Sequence, residues 1–204
     1  MKNLKSILII LLFLLSFSNK SFSFYNDSLS FCDKALKIDI KIFKNNNREK
    51  LKLHKIVNYK KTNRTLRIAT KNKIIKFKNE YDGIEPIIIY EFYGKLESKK
   101  WIFVKETKLN SEKYYLINTL TSKIDILIGE PRIFENEIVC LEGSYTDSPR
   151  ILEVYSIVKS NLTKIFKMSL SNCKDLITAE SPYLLNNKIY LTDLESKAWT
   201  IEYK

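Results

Sequence analysis

The chain has 204 residues, 45% of them hydrophobic, 12% aromatic and 28% charged, a balance that excludes an intrinsically disordered protein. Its 35 Lys and Arg against 23 Asp and Glu leave a net charge of +12, which favours anionic partners over cationic ones. Four glycines, at 83, 94, 129 and 143, build no phosphate-cradling loop, and three widely spaced cysteines with one histidine, His54, offer no zinc-ligand spacing.

Met1 to Lys5 supplies a short positive start, Ile7 to Phe17 is an apolar run, and Ser21-Phe22-Ser23 offers the small residues a signal peptidase needs. Eleven helical residues reach about 16 Å, half of a ~30 Å hydrocarbon core, so the run is too short to span a bilayer. It is expected to be a signal peptide, residues 1–23, cleaved after Ser23. Cys32 lies too far downstream to be a lipid-anchored cysteine. Removing 23 of 204 residues leaves 181, enough for one all-β domain over residues 24–204 with a full core. The expected location is exported, periplasmic or extracellular.

Export places the cysteines where a disulfide persists. Cys140 lies within Ile138-Val139-Cys140-Leu141 and is expected as a small apolar side chain in a buried strand. Cys32 and Cys173 lie in short polar settings that suggest loops or strand ends, and the expected bond joins them.

Downstream, the side-chain period is two. Leu36, Ile38, Ile40 and Ile42 alternate with Lys37, Asp39 and Lys41, which forms one face of a strand and no face of a helix. Leu66 and Ile68, then Ile75 and Phe77, flank Thr70-Lys71-Asn72-Lys73 as a hairpin does. Further strands are expected at 87–93, 101–106, 114–118, 124–128, 138–141, 152–158, 188–192 and 198–203, from their β-branched and aromatic runs. No stretch after the leader sustains a helical stripe.

The ten residues from Pro131 to Cys140 can be laid on Pro182 to Leu191 without a gap: proline, apolar residues, an asparagine-containing turn and a fresh apolar run recur in register. A strand-turn-strand unit precedes each copy, 114–127 with its turn at 119–123 and 153–168 with its turn at 159–163. The offsets are close to the ~40–50 residues of a four-stranded propeller blade. On this spacing, residues 86–204 resemble blade-repeat proteins, and more closely small exported bacterial proteins with propeller-like hairpin units. The resemblance implies an antiparallel meander of blade-like hairpin units and no specific activity. Residues 34–80 match the repeat poorly, so an incomplete propeller or a two-sheet β-sandwich stands open beside a four-bladed ring.

From Lys34 to Lys78 sixteen Lys or Arg face only Asp39 and Glu49, a charge of +14, while the cleaved chain carries +9 and everything else in it therefore −5. Such a front half suits an anionic envelope component or glycan, held through Lys50, Lys52, Lys60 and Lys61; Phe43, Tyr59 and Phe77 lie among the cations. The competing expectation is that lysines on alternating strands face water and protect sheet edges. Nucleic acid is disfavoured, since no nucleic-acid-reading motif is present. The connection from Gly143 to Arg150 concentrates Tyr145, Asp147 and Arg150 as candidate binding groups.

Catalysis finds little support. His54 shares its face with Lys50 and Lys52, and no nucleophile elbow or metallo-helix motif occurs. Glu135, Glu137, Glu142 and Asp147 could pair as acids for glycoside hydrolysis. The expectation is an exported all-β protein, a non-catalytic binding or structural module of the cell envelope or extracellular space, with no cofactor and no metal. Its partner would be an anionic component or another envelope protein. The alternative is an exported hydrolase of envelope polymers or glycans.

Overall fold

The computed structural model describes Cys32, residues 35–46, 61–96, 100–142, 150–171 and 173–204. The expected leader, 1–23, and His54 lie outside these residues. The described chain is all-β and antiparallel, with fifteen strands in four open sheets. In chain order the sheets are the hairpin β2–β3 (Thr65–Ala69, Ile74–Lys78), the five strands β4–β8 (Glu80–Asp82, Glu85–Leu96, Trp101–Lys108, Ser111–Asn118, Ile124–Leu127) and the four strands β9–β12 (Gly129–Phe134, Glu137–Glu142, Ile151–Val158, Asn161–Ser169). The fourth sheet holds β13–β15 (Glu180–Leu185, Lys188–Thr192, Ala198–Glu202), and β1 (Leu36–Ile38) pairs antiparallel on β15, so the front of the described chain completes its last sheet.

Each sheet packs its face on the next. Leu66, Ile68, Ile75 and Phe77 of the hairpin meet Ile102, Val104 and Ile117 of the second sheet. Trp101, Phe103 and Leu116, from the opposite face of the same strands, meet Ile133, Ile138 and Cys140 of the third. Val139, Leu152 and Val154 then meet Tyr183, Ile189 and Ile201 of the fourth. A strand that alternates its side chains between two apolar layers must be apolar at every position, which is why β6 opens Trp-Ile-Phe-Val with all four buried. The outer hairpin has one buried face, and β3 runs Ile-Ile-Lys-Phe-Lys with only its second and fourth residues buried. Four sheets enclose three apolar layers; a closed ring needs a fourth, between first and last sheets, and no such cluster exists among the described residues.

The sequence repeat is structural. Both copies are two-residue hairpins, with Phe134 opposite Glu137 and Leu185 opposite Lys188, and each opens its sheet. The recurring prolines, Pro131 and Pro182, lie in β9 and β13, which are edge strands, where a missing N–H costs no ladder bond. Gly129 has no substitute: a Cβ there would lie 2.0 Å from the Leu141 carbonyl oxygen.

Two expectations are corrected. Residues Ile40–Asn46 form a short helix, α1, not a continuation of the strand through Ile42. Asp39 stops β1 and caps the helix, its carboxylate accepting from the Lys41 amide at 2.8 Å and its carbonyl from the Ile42 amide at 3.0 Å. Phe43 is thereby turned inward, edge-on to Tyr183 at 5.0 Å. The turn expected at 159–163 is tighter, with Val158 directly opposite Asn161. Cys173 lies in a connection between strands, as its polar neighbours suggest, but its side chain is buried in the last apolar layer. It is bonded to Cys32 with Cα atoms 5.3 Å apart, closing 141 residues, and Cys140 is free and fully buried.

The buried acids of the middle sheets, Glu106 and Glu153, each have charged and hydrogen-bonding partners. Burial by itself would raise the Glu106 carboxyl, but hydrogen bonds from Tyr115 (2.5 Å) and Tyr90, with Lys108 at 3.3 Å, outweigh it and hold the group below its usual range. Glu153 accepts from Tyr155 and, at 2.6 Å, from Lys164.

Candidate functional site

Two surfaces concentrate chemistry. The first is the exposed face of the outer hairpin. Between Lys61 and Lys78 the chain carries Lys61, Arg64, Arg67, Lys71, Lys73, Lys76 and Lys78 and no acid, and all seven are exposed. Because Leu66, Ile68, Ile75 and Phe77 take the inner face, the intervening Arg67, Lys76 and Lys78 must point outward. The register sets Arg67 directly opposite Lys76. Like charges in that relation disfavour the sheet, and no described carboxylate pairs with either of them. Arg64 lies over the Tyr81 ring at 4.1 Å.

The second is a cleft of about 880 Å³ between the third and fourth sheets. It opens at the end of the stack where hairpin turns gather. There the successive turns of the first three sheets are tied together: Thr70 to Ser122 through their hydroxyls at 2.6 Å, the Lys71 amide to the Thr119 carbonyl at 2.7 Å, and the Asn118 side chain to the Ser160 carbonyl at 3.0 Å. Across the last gap the ties are the Tyr203 hydroxyl and the Lys204 ammonium, both donating to Glu137. The turn Glu135-Asn136 and its repeat counterpart Asn186-Asn187 both line it, together with Lys159 and Ser156 of the third sheet. Burial, strengthened by the bond to Glu137, pushes the Tyr203 hydroxyl up, so it remains a donor throughout the neutral range.

Backbone strain marks this rim. Asn186 and Asn187 have φ of 50° and 61°, a region asparagine tolerates and a two-residue hairpin needs. Glu135 has φ of 56°, where glutamate has no such tolerance. Lys159, in the neighbouring two-residue turn, shares this region with φ of 55°.

Of the sequence-derived candidates, Lys61 is exposed at the foot of the basic hairpin. Lys50, Lys52, Lys60, Tyr145 and Asp147 lie outside the described residues. Arg150 is partly buried, donating to the backbone carbonyls of Glu142 at 3.3 Å and Ile177 at 3.4 Å; it bridges strand to connection. Of the four acids, Glu135 and Glu137 share the cleft, while Glu142 sits at the far end of β10, its carboxyl raised by burial and by the neighbouring Glu153. Arg67, Lys76 and the paired asparagine turns are what sequence reasoning missed. The signals were present: the alternation of β2 and β3 assigns every cation to the outer face, and a gapless repeat assigns both turns to one end.

Among the described residues no group of acids, cysteines and histidines is placed to hold a metal, and no helix is long and apolar enough to cross a membrane. Compared with models of protein families, with curated proteins and with solved structures, the chain matches none.

Replacing Glu135 with glycine, which accepts φ near 56° freely, should raise stability by about 0.5–1 kcal/mol in urea or thermal unfolding. A fall in the midpoint would show that the glutamate side chain supports the fold after all.

Proposed function

We propose that this protein is an exported, non-catalytic binding module that holds an anionic component of the cell envelope or extracellular space on the exposed face of β2–β3. The observation that carries the reading is the all-basic hairpin face, with Arg67 set against Lys76 at the cost of mutual repulsion. A polyanion relieves that repulsion and releases its own counterions on binding, so the same charges that weaken the free sheet favour the complex. The disulfide between Cys32 and Cys173 and the leader-like front of the chain support an oxidising destination. Both strands of this two-stranded sheet are edges that charged side chains protect, and the Arg67–Lys76 pair adds a mutual repulsion that edge protection by itself does not require.

On an immobilised polyanion such as polyphosphate, the purified protein should be retained at low salt and released by about 0.2 M salt. In Arg67→Ser/Lys76→Ser the slope of log affinity on log salt should fall by about 2. An unchanged slope would reject this face as the contact.

A second reading, a hydrolase of envelope polymers, is favoured by one observation: Glu135 and Glu137 line the same cleft. It requires new reducing ends from envelope glycans, released by the wild type and not by Glu137→Gln. No release by the wild type removes it.

A further inference from the structure

We infer that the cleft between the third and fourth sheets binds an uncharged, polyhydroxylated ligand, a neutral oligosaccharide, at a site separate from the basic hairpin. Its volume of about 880 Å³ is in the range of sites that enclose a ligand of several rings. The charged side chains of its lining cancel: Glu135 and Glu137 supply two carboxylates, Lys159 and Lys204 two ammonium groups. A polyanion therefore gains nothing here from long-range attraction, in contrast to the hairpin face.

The hydrogen-bonding groups suit hydroxyls. The side-chain amides of Asn136, Asn186 and Asn187 each carry donors beside an acceptor, and a carboxylate accepts from two neighbouring hydroxyls at once. The Asn186 and Asn187 side chains are exposed and make no hydrogen bond to any described residue, so a ligand displaces only water from them. Beside these groups lies the half-buried ring of Tyr203, apolar surface on which the C–H face of a sugar can rest.

The site is also held ready. Glu137 is fixed by Tyr203 and Lys204 from the neighbouring sheet, and the asparagines ride on a two-residue turn with little freedom. The strained Glu135 adds a carboxylate at the position its repeat partner fills with Asn186. Less ordering is then left to be done when a ligand arrives.

The test is a titration of the isotope-labelled protein with maltotetraose, cellotetraose and chitotetraose, followed by amide NMR at about 50 and 300 mM salt, a span over which screening of exposed charges changes strongly. At least one sugar should shift the backbone and side-chain amides of 135–136 and 186–187 saturably, with a dissociation constant that agrees within about twofold between the two salts. Asn186→Gly/Asn187→Gly keeps a turn that glycine favours while removing both side chains. It should melt as the wild type does and bind at least about tenfold more weakly. No saturable shift with any of the three sugars overturns the proposal, as does equal binding by the glycine variant or shifts confined to other surfaces. Loss of affinity at high salt also overturns it and assigns the cleft to a charged ligand. Because the hairpin contact is salt-sensitive and lies on the first sheet, failure of either proposal leaves the other standing.

Discussion

Burial of the two middle sheets on both faces is the constraint from which the rest of this molecule follows. β6, β7, β10 and β11 contribute one set of side chains to the layer before them and the alternate set to the layer after. The buried stretch of a strand so placed has no face left for charge, and the acids buried there, Glu106 and Glu153, are admitted only with tyrosine and lysine partners. Charge is displaced to the surfaces that are covered once or not at all. The outer hairpin collects cations on its free face, and the turn end of the stack collects amides, carboxylates and ammonium groups.

The same constraint explains which parts of the fold were legible. All-β character and most strands followed from β-branched and aromatic runs, and the repeat of 131–140 on 182–191 identified two equivalent hairpins because its proline, turn and apolar run each had a structural reason to recur. The alternation from Leu36 to Ile42 misled, because a two-residue period persists through Asp39 and hides its role as a cap. Local hydrogen bonding to the Lys41 and Ile42 amides overrode the pattern and turned Phe43 toward Tyr183. Four stacked sheets were not legible as an open stack, since the order of sheets depends on which face of each strand meets which neighbour, and a run such as Trp-Ile-Phe-Val assigns neither face.

The candidate surfaces were legible in kind more than in place. The concentration of cations at the front of the chain pointed to an anionic partner, yet the residues chosen there were neighbours in sequence, whereas Arg67 and Lys76 become neighbours only through hairpin register. The cleft joins positions 135, 159 and 187, which converge because every two-residue turn of the third and fourth sheets falls at one end. Glu135 and Glu137 are alike as acids in the sequence; the tight β9–β10 turn gives the first its positive φ, and the packing of the last two sheets brings Tyr203 and Lys204 to the second.

Amide hydrogen exchange resolved by strand tests the two-sided burial most directly. The account predicts that amides of β6, β7, β10 and β11 exchange last, and that those of β2 and β3, covered on one face only, exchange well before them. Protection of the β2–β3 hairpin equal to or greater than that of the middle sheets would contradict it.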